Sequence, residues 1–79
     1  MEYDMGKVEE AVLALLGVFE FDNGHVWKRH DFDTMDRLHE KGLITRPRSK
    51  RESVELTDEG LRRAKDLAAR YFGMQPDSQ

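Results

Sequence analysis

Residues 38–60 of the chain read LHEKGLITRPRSKRESVELTDEG, and this stretch decides the fold. Gly42 supplies the left-handed position that commonly follows the last residue of a helix, and Leu43 can fold back onto the last helical turn. A helix is therefore predicted to end near residue 41, and a strand to begin at residues 43–45. A polar tip that contains a proline, residues 46–51, follows this strand.

The second half of the stretch has the alternation of a strand and then the start of a helix. Val54 and Leu56 stand two residues apart, so both should face inward while Ser53 and Glu55 face outward. Thr57 can cap the helix that follows. The pattern predicts that residues 43–57 double back as a β-hairpin between two helices.

Helical spacing of apolar residues predicts three helices. They lie at about residues 4–19, 31–41 and 58–72. Their predicted N-caps are Asp4, Asp31 and Thr57, and the predicted stop of the third helix is Gly73. The buried stripes are predicted to be Val8, Ala11, Val12, Leu15, Leu16 and Phe19 in the first helix, Phe32, Met35 and Leu38 with His39 at the edge in the second, and Leu61, Ala64, Leu67, Ala68, Tyr71 and Phe72 in the third.

Residues 20–30 contain Asn23-Gly24, a pair that favours a tight turn because both residues tolerate positive φ. Three structures remain open for this segment: a short hairpin, a turn followed by one short strand, and a single helical turn. Trp27, the only tryptophan, is expected to anchor the core.

Length and composition predict one small α+β domain over residues 1–73, with a flexible tail at residues 74–79. The chain has no cysteine, so neither a disulfide framework nor a thiolate metal site can form. The N-terminus is acidic where a secretory leader is basic, and the longest apolar stretch, residues 11–19, is too short to cross a membrane. A cytoplasmic protein with no membrane partner is expected.

Charge is distributed unevenly along the chain, whose net value is −3. Residues 1–45 hold five basic and ten acidic side chains, a balance of −5. Residues 46–79 hold eight basic and six acidic side chains, a balance of +2. A local basic patch can meet phosphate even on an acidic protein.

The runs 38–44 and 54–60 resemble the shared core of winged-helix regulators, in which a helix ends at a glycine, a variable wing follows, and a Leu-Thr pair opens the last helix. The resemblance implies a small winged-helix-like domain of three helices and a β-hairpin wing. A winged helix also has a supporting helix ahead of its recognition helix, whereas residues 20–30 lack helical periodicity. That departure puts docking in the major groove in question.

The chain also resembles a family of short bacterial proteins that is defined only as a domain of unknown function. The matching segments are residues 27–28, 31–33, 36–44 and 53–63. This resemblance covers most of the chain and implies no activity.

Duplex DNA binding of a regulatory type is the leading functional hypothesis. At 100° per residue, Thr34, Arg37 and Lys41 fall in one stripe of the second helix, where they could reach bases or phosphates. The basic tip would add phosphate contacts. Its cations are Arg46, Arg48, Lys50 and Arg51. The competing interpretation is a solvated helix and a charged hairpin that resists aggregation, since an acidic stripe of the same helix holds Asp33, Asp36 and Glu40.

The alternative hypothesis is a protein-interaction or dimerisation module that binds no nucleic acid. The first helix is apolar on more than one side, so it is covered on more than one side, either within the domain or in a homodimer. The residues predicted at a dimer interface are Leu13, Gly17, Tyr71 and Phe72.

No residue pattern predicts an enzyme, a metal site or a cofactor. The three histidines, His25, His30 and His39, lack the i, i+4 spacing of a helical metal pair with a matching carboxylate. A phosphate-binding glycine loop and a nucleophile beside a base are also missing from the sequence.

Overall fold

The computed structural model describes residues 1–28, 30–47 and 53–74. In chain order the elements are α1 (Met5–Val18), β1 (His25–Trp27), α2 (Phe32–Glu40), β2 (Ser53–Glu55) and α3 (Asp58–Phe72). Three helices and a two-stranded antiparallel sheet make a small α+β domain, which confirms the predicted fold class. Of the predicted tail at residues 74–79, all but Met74 lies outside the described residues.

The side chain just before each helix accepts a hydrogen bond from one of the free N–H groups of the first turn, as predicted. Asp4 accepts a hydrogen bond from the Lys7 amide, Asp31 from the Thr34 amide and Thr57 from the Gly60 amide. The three helix starts are therefore fixed by local sequence.

The end of α2 has the predicted Schellman geometry. Gly42 has a φ of +76°, its N–H donates to the His39 carbonyl at 2.9 Å, and the Leu43 N–H donates to the Leu38 carbonyl at 3.0 Å. A residue with a Cβ pays a steric penalty at that φ, so the glycine directs the chain out of the helix.

Strands β1 and β2 pair with each other, although α2 separates them in sequence. The facing residues are His25 and Glu55, Val26 and Val54, and Trp27 and Ser53. Because side chains alternate across a strand, Val26 and Val54 both enter the core. The central Val–Val pair ties the segment before α2 to the segment before α3.

The predicted hairpin is confirmed at its base and corrected in its first strand. The Thr57 N–H donates to the Leu43 carbonyl at 3.0 Å, so the chain doubles back between α2 and α3. Over residues 43–47, the described part of the first arm, the ladder consists of an isolated bridge between Ile44 and Leu56. Pro47 lacks the N–H that a longer ladder needs, which accounts for the short first arm. Residues 48–52 lie outside the described residues.

Residues 20–27 form a turn and then a short strand, one of the alternatives left open. Asp22, Asn23 and Gly24 all have positive φ, and Phe21 bridges to His25 across this turn. The described residues between α1 and α2 therefore contain no supporting helix of the winged-helix type.

Helix α1 is the central element, because it contacts α2, α3 and β1. It runs antiparallel to α3, since Gly17 lies beside Lys65 and Glu10 beside Tyr71. A Cβ on Gly17 would lie 2.6 Å from the Ala64 carbonyl oxygen, so glycine permits this close approach. The core consists of Leu13, Ala14, Leu16, Val26, Met35, Leu38, Leu43, Ile44, Val54, Leu56, Ala64 and Leu67.

The predicted rotation of α1 about its axis is wrong. Leu13 and Gly17, expected to face a dimer partner, are buried in the core, whereas Leu15 and Phe19, expected in the core, are exposed. Residues 11–19 are all apolar, so hydrophobic periodicity carries no information on which side faces inward. Contact with α3 at Gly17 determines the rotation instead.

Several aromatic residues expected in the core are exposed. Trp27 stands one position from the inward-facing Val26, so alternation points it outward. Phe32 is the first residue of α2 and projects before the buried turn begins. Tyr71 and Phe72 lie beyond Leu67, the last buried residue of α3. His39 is exposed as well.

Candidate functional site

Thr34, predicted to contact DNA, is buried within the N-terminal turn of α2. It is 1% exposed, and its Oγ1 donates to Asp31 Oδ2 at 3.1 Å while its N–H donates to the same oxygen at 3.1 Å. The placement of Thr34 on the exposed side is therefore wrong. The cap turns this side chain inward beside Met35, and it cannot reach a nucleic acid.

Arg37 and Lys41 are brought together as predicted, but both face α1 and form ion pairs with Glu9. Glu9 Oε2 lies 3.5 Å from Arg37 Nε, and Glu9 Oε1 lies 2.5 Å from Lys41 Nζ. The spacing of four residues places both cations over the same turn of α1. Their role as phosphate contacts stays a prediction, and Glu9 offsets much of their positive potential.

Sequence reasoning missed the role of Glu9. Its side chain is only 8% exposed, while those of Arg37 and Lys41 are 41% and 55% exposed. A buried carboxylate needs a cation or hydrogen-bond donors, and these two supply both. Glu9 directly follows the apolar Val8 on a helix that is mainly apolar from residue 11 onward, and this position is the one feature of the sequence that could have indicated a buried pair.

The remaining surface of α2 is acidic. Asp33 and Glu40 are exposed and Asp36 is half-buried. A shallow groove of about 350 Å³ runs beside this surface. Its lining residues are Asp36, His39, Glu40, Arg46 and Pro47.

The wing is described only at its base. Arg46 is exposed, and Pro47 is buried with its carbonyl accepting a hydrogen bond from Lys28 Nζ at 3.0 Å. The other cations predicted to contact phosphate, Arg48, Lys50 and Arg51, lie outside the described residues.

A second ion pair connects α3 to the turn before β1. Lys65 Nζ lies 3.0 Å from Glu20 Oε1 and also donates to the Gly17 carbonyl at 2.8 Å. The Gly24 N–H donates to Glu20 Oε2 at 2.6 Å. The hydrogen bond from Lys65, followed by that from Gly24, lowers the pKa of Glu20 below its ordinary value. This pair holds the turn against the α1–α3 junction.

Of the residues predicted at a dimer interface, Leu13 and Gly17 are excluded by their burial in the core. Tyr71 and Phe72 are half-exposed, with ring centroids 6.1 Å apart. Tyr71 donates a hydrogen bond to Glu10 Oε1 at 3.0 Å, which raises the pKa of the phenol. Their part in an interface stays a prediction.

An apolar stripe runs along the outer side of α1, and the sequence interpretation had placed three of its four residues in the core and Val18 outside it. Val8 is half-buried, and Ala11, Leu15 and Val18 are exposed. Their steps of three, four and three residues place all four on one side of the helix. We call these four residues the α1 stripe.

The described histidines make local contacts. His39 Nδ1 lies 3.1 Å from the Ile44 carbonyl, and His25 lies between the Asp22 carbonyl and Glu55. In the part of the chain that the structure describes, no three His, Asp or Glu side chains converge in a way that could hold a metal ion.

These features define a small α+β domain whose outer surface is apolar on α1 and acidic on α2. The chain belongs to the family described as "Domain of unknown function (DUF6429)", whose model matches residues 4–74. It is similar to "Uncharacterized protein y4hR" of Sinorhizobium fredii (strain NBRC 101917 / NGR234), with 50% identity over 72 residues. That match covers 91% of this chain and 97% of the relative. No solved structure matches the chain.

The predicted resemblance to a family of short bacterial proteins is thus confirmed. The likeness to winged-helix regulators stays a prediction. None of the helices in residues 1–28, 30–47 and 53–74 combines the length and the apolar character needed to cross a bilayer.

Proposed function

We propose that this domain is a protein-association module, and that the α1 stripe docks against an apolar helix face of a protein partner. The observation that supports the proposal most strongly is the composition of the helix. Residues 11–19 contain no polar side chain, yet Leu15, Val18 and Phe19 are exposed. A helix that is apolar on all sides is normally covered on all sides.

Exposed apolar side chains on the α1 stripe and at its border provide the area for association. Leu15 and Val18 of the stripe are 38% and 47% exposed, and Met5 and Phe19 at its border are 41% and 66% exposed, together equal to about two fully exposed side chains. Burying them contributes on the order of 3–6 kcal/mol per chain. Association costs roughly 4–15 kcal/mol in lost freedom, so the proposed complex is reversible rather than permanent.

The electrostatics of α2 favour a protein partner over nucleic acid on that side of the domain. Arg37 and Lys41 share the carboxylate of Glu9, so the solvent-facing charge of α2 is dominated by Asp33 and Glu40. Carboxylates beside a phosphate backbone oppose binding. The buried Thr34 removes the remaining predicted contact to a base.

The proposal can be tested with a dye that fluoresces on apolar protein surface, at chain concentrations low enough to favour the monomer. We expect dye binding to fall strongly in the double variant Leu15→Asp with Val18→Asp. The matched control, Ala69→Asp on the exposed part of α3, should bind dye as the unmodified chain does. Dye binding that is unchanged in the double variant would overturn the proposal.

Duplex DNA binding through the wing is a second candidate function, favoured by one specific observation. Residues 46–51 hold four cations in six positions, and the first of them, Arg46, is exposed. A contact with phosphate here would need neither Thr34 nor the cations held by Glu9. Each lost phosphate contact should reduce the slope of log affinity against log salt by about 0.9.

The DNA candidate has its own test. Replacing Arg46, Arg48, Lys50 and Arg51 by alanine should abolish retention of the chain on immobilised duplex DNA at low salt. The control removes two positive charges from α3, with Arg62→Ala and Arg70→Ala, and should still be retained. Absence of retention of the unmodified chain at low salt would exclude this candidate.

A further inference from the structure

We infer that the partner of the α1 stripe is a second copy of this chain, and that the two α1 helices pack antiparallel about a twofold axis beside residue 13. This inference rests on the proposed function and names its partner. It follows from the spacing, the shape and the charge of the stripe.

The spacing is that of an apolar helix–helix seam. Val8, Ala11, Leu15 and Val18 occupy the a, d, a and d positions of two successive heptads. The four positions span about 15 Å at 1.5 Å per residue. A seam of this kind accepts one apolar helix of the same length.

The stripe is complementary in shape to itself in only one of the two orientations. When two copies run antiparallel with Ala11 opposite Leu15 of the partner subunit, the small residue faces the large one on both sides of the axis. Val8 then faces Val18 of the partner subunit, so each layer fills a similar volume. In a parallel arrangement each residue would face the same residue of the partner subunit. The two Leu15 side chains would crowd one layer of the interface, and the two Ala11 side chains would leave space in the next layer.

Charge supports the same orientation. Lys7 is the charged side chain of α1 that borders the exposed side of the stripe, and the residues on the opposite border, Met5, Val12 and Phe19, are apolar. In the antiparallel pair the two Lys7 positions are separated by about 18 Å along the axis, which is beyond the screening length of roughly 8–10 Å. In a parallel pair they would lie side by side and repel.

The orientation can be tested by disulfide cross-linking, because the chain contains no cysteine of its own. Three single variants are prepared: Val8→Cys, Val18→Cys, and the control Asp66→Cys on the exposed part of α3. Each is oxidised alone, and Val8→Cys is also oxidised in a mixture with Val18→Cys. Circular dichroism and thermal unfolding verify that each variant is folded.

We expect the Val8→Cys and Val18→Cys mixture to form at least tenfold more cross-linked dimer than either variant alone or the Asp66→Cys control. Efficient cross-linking of Val18→Cys with itself would overturn the antiparallel orientation. Cross-linking of the mixture at the level of the control would overturn self-association. If the mixture cross-links no more than the control while dye binding still depends on Leu15 and Val18, self-association is wrong but the proposed docking surface is supported. The partner is then a different protein.

Discussion

A substitution at Glu9 tests how strongly the ion pairs between α1 and α2 stabilise the domain. Replacing Glu9 by glutamine keeps the shape of the side chain and removes the charge that Arg37 and Lys41 share. Removing a fully buried ion-pair partner costs about 3–5 kcal/mol. Here the two cations are about half exposed, and water can solvate them after the change, so the cost should be nearer to 2 kcal/mol.

The assay is equilibrium unfolding in urea, with thermal unfolding as a second probe. A loss of about 2 kcal/mol in the free energy of unfolding should lower the Tm by roughly 8–16 °C in a domain of this size. The matched control is Glu10→Gln, the next residue of the same helix, which is exposed and should change stability by less than about 0.5 kcal/mol.

A double-mutant cycle assigns the effect to the ion pairs. Lys41→Met should cost less in the Glu9→Gln background than in the unmodified chain, with a coupling energy of about 0.5–3 kcal/mol. A Glu9→Gln variant as stable as the unmodified chain, or a cycle without coupling, would refute the role given to this carboxylate.

Three further outcomes follow from the contacts. Gly60→Ala should destabilise the domain by at least about 2 kcal/mol in urea unfolding, because a Cβ there would lie 1.8 Å from the Leu43 carbonyl oxygen; a neutral or stabilising effect would contradict that close approach. Glu20→Gln should make the free energy of unfolding depend less on pH under acid conditions. The hydrogen bond from Lys65 holds the pKa of Glu20 below 4.5 in the folded chain. The stabilisation by this pair is therefore complete above pH 4.5 and is lost as the pH falls through the lower folded-state pKa. If the pH dependence of stability in acid is the same with and without Glu20→Gln, the stabilising role given to the Glu20–Lys65 pair is wrong. Trp27, which is 54% exposed with one side against the Phe21 ring, should be quenched by acrylamide to an extent between those of a buried and a free tryptophan, whereas strong protection in the monomer would place it in the core.

Features that depend on neighbouring residues were predictable from the sequence. Asp4, Asp31 and Thr57 cap the helices because their side chains reach amides three residues away. Gly42 ends α2 because it accepts a positive φ. The doubling back of residues 43–57 follows from such signals together with the alternation around Val54.

Features that depend on distant residues were not predictable. Glu9 pairs with Lys41 across 32 positions of sequence, and no periodicity connects the two. The pairing of β1 with β2 is equally non-local, so the role of Val26 opposite Val54 emerges only from the fold. The rotation of α1 could not be inferred because residues 11–19 are uniformly apolar, and this error placed the buried Leu13 and Gly17 at the predicted dimer interface.

Sedimentation equilibrium across a wide range of concentrations tests self-association through α1 most directly. The unmodified chain, with a monomer mass of 9.2 kDa, should shift toward twice that mass as its concentration rises. The double variant Leu15→Asp with Val18→Asp should remain at the monomer mass, while Ala69→Asp should follow the unmodified chain. A constant 9.2 kDa for the unmodified chain at every concentration, or a double variant that still dimerises, would contradict packing of α1 against its own copy.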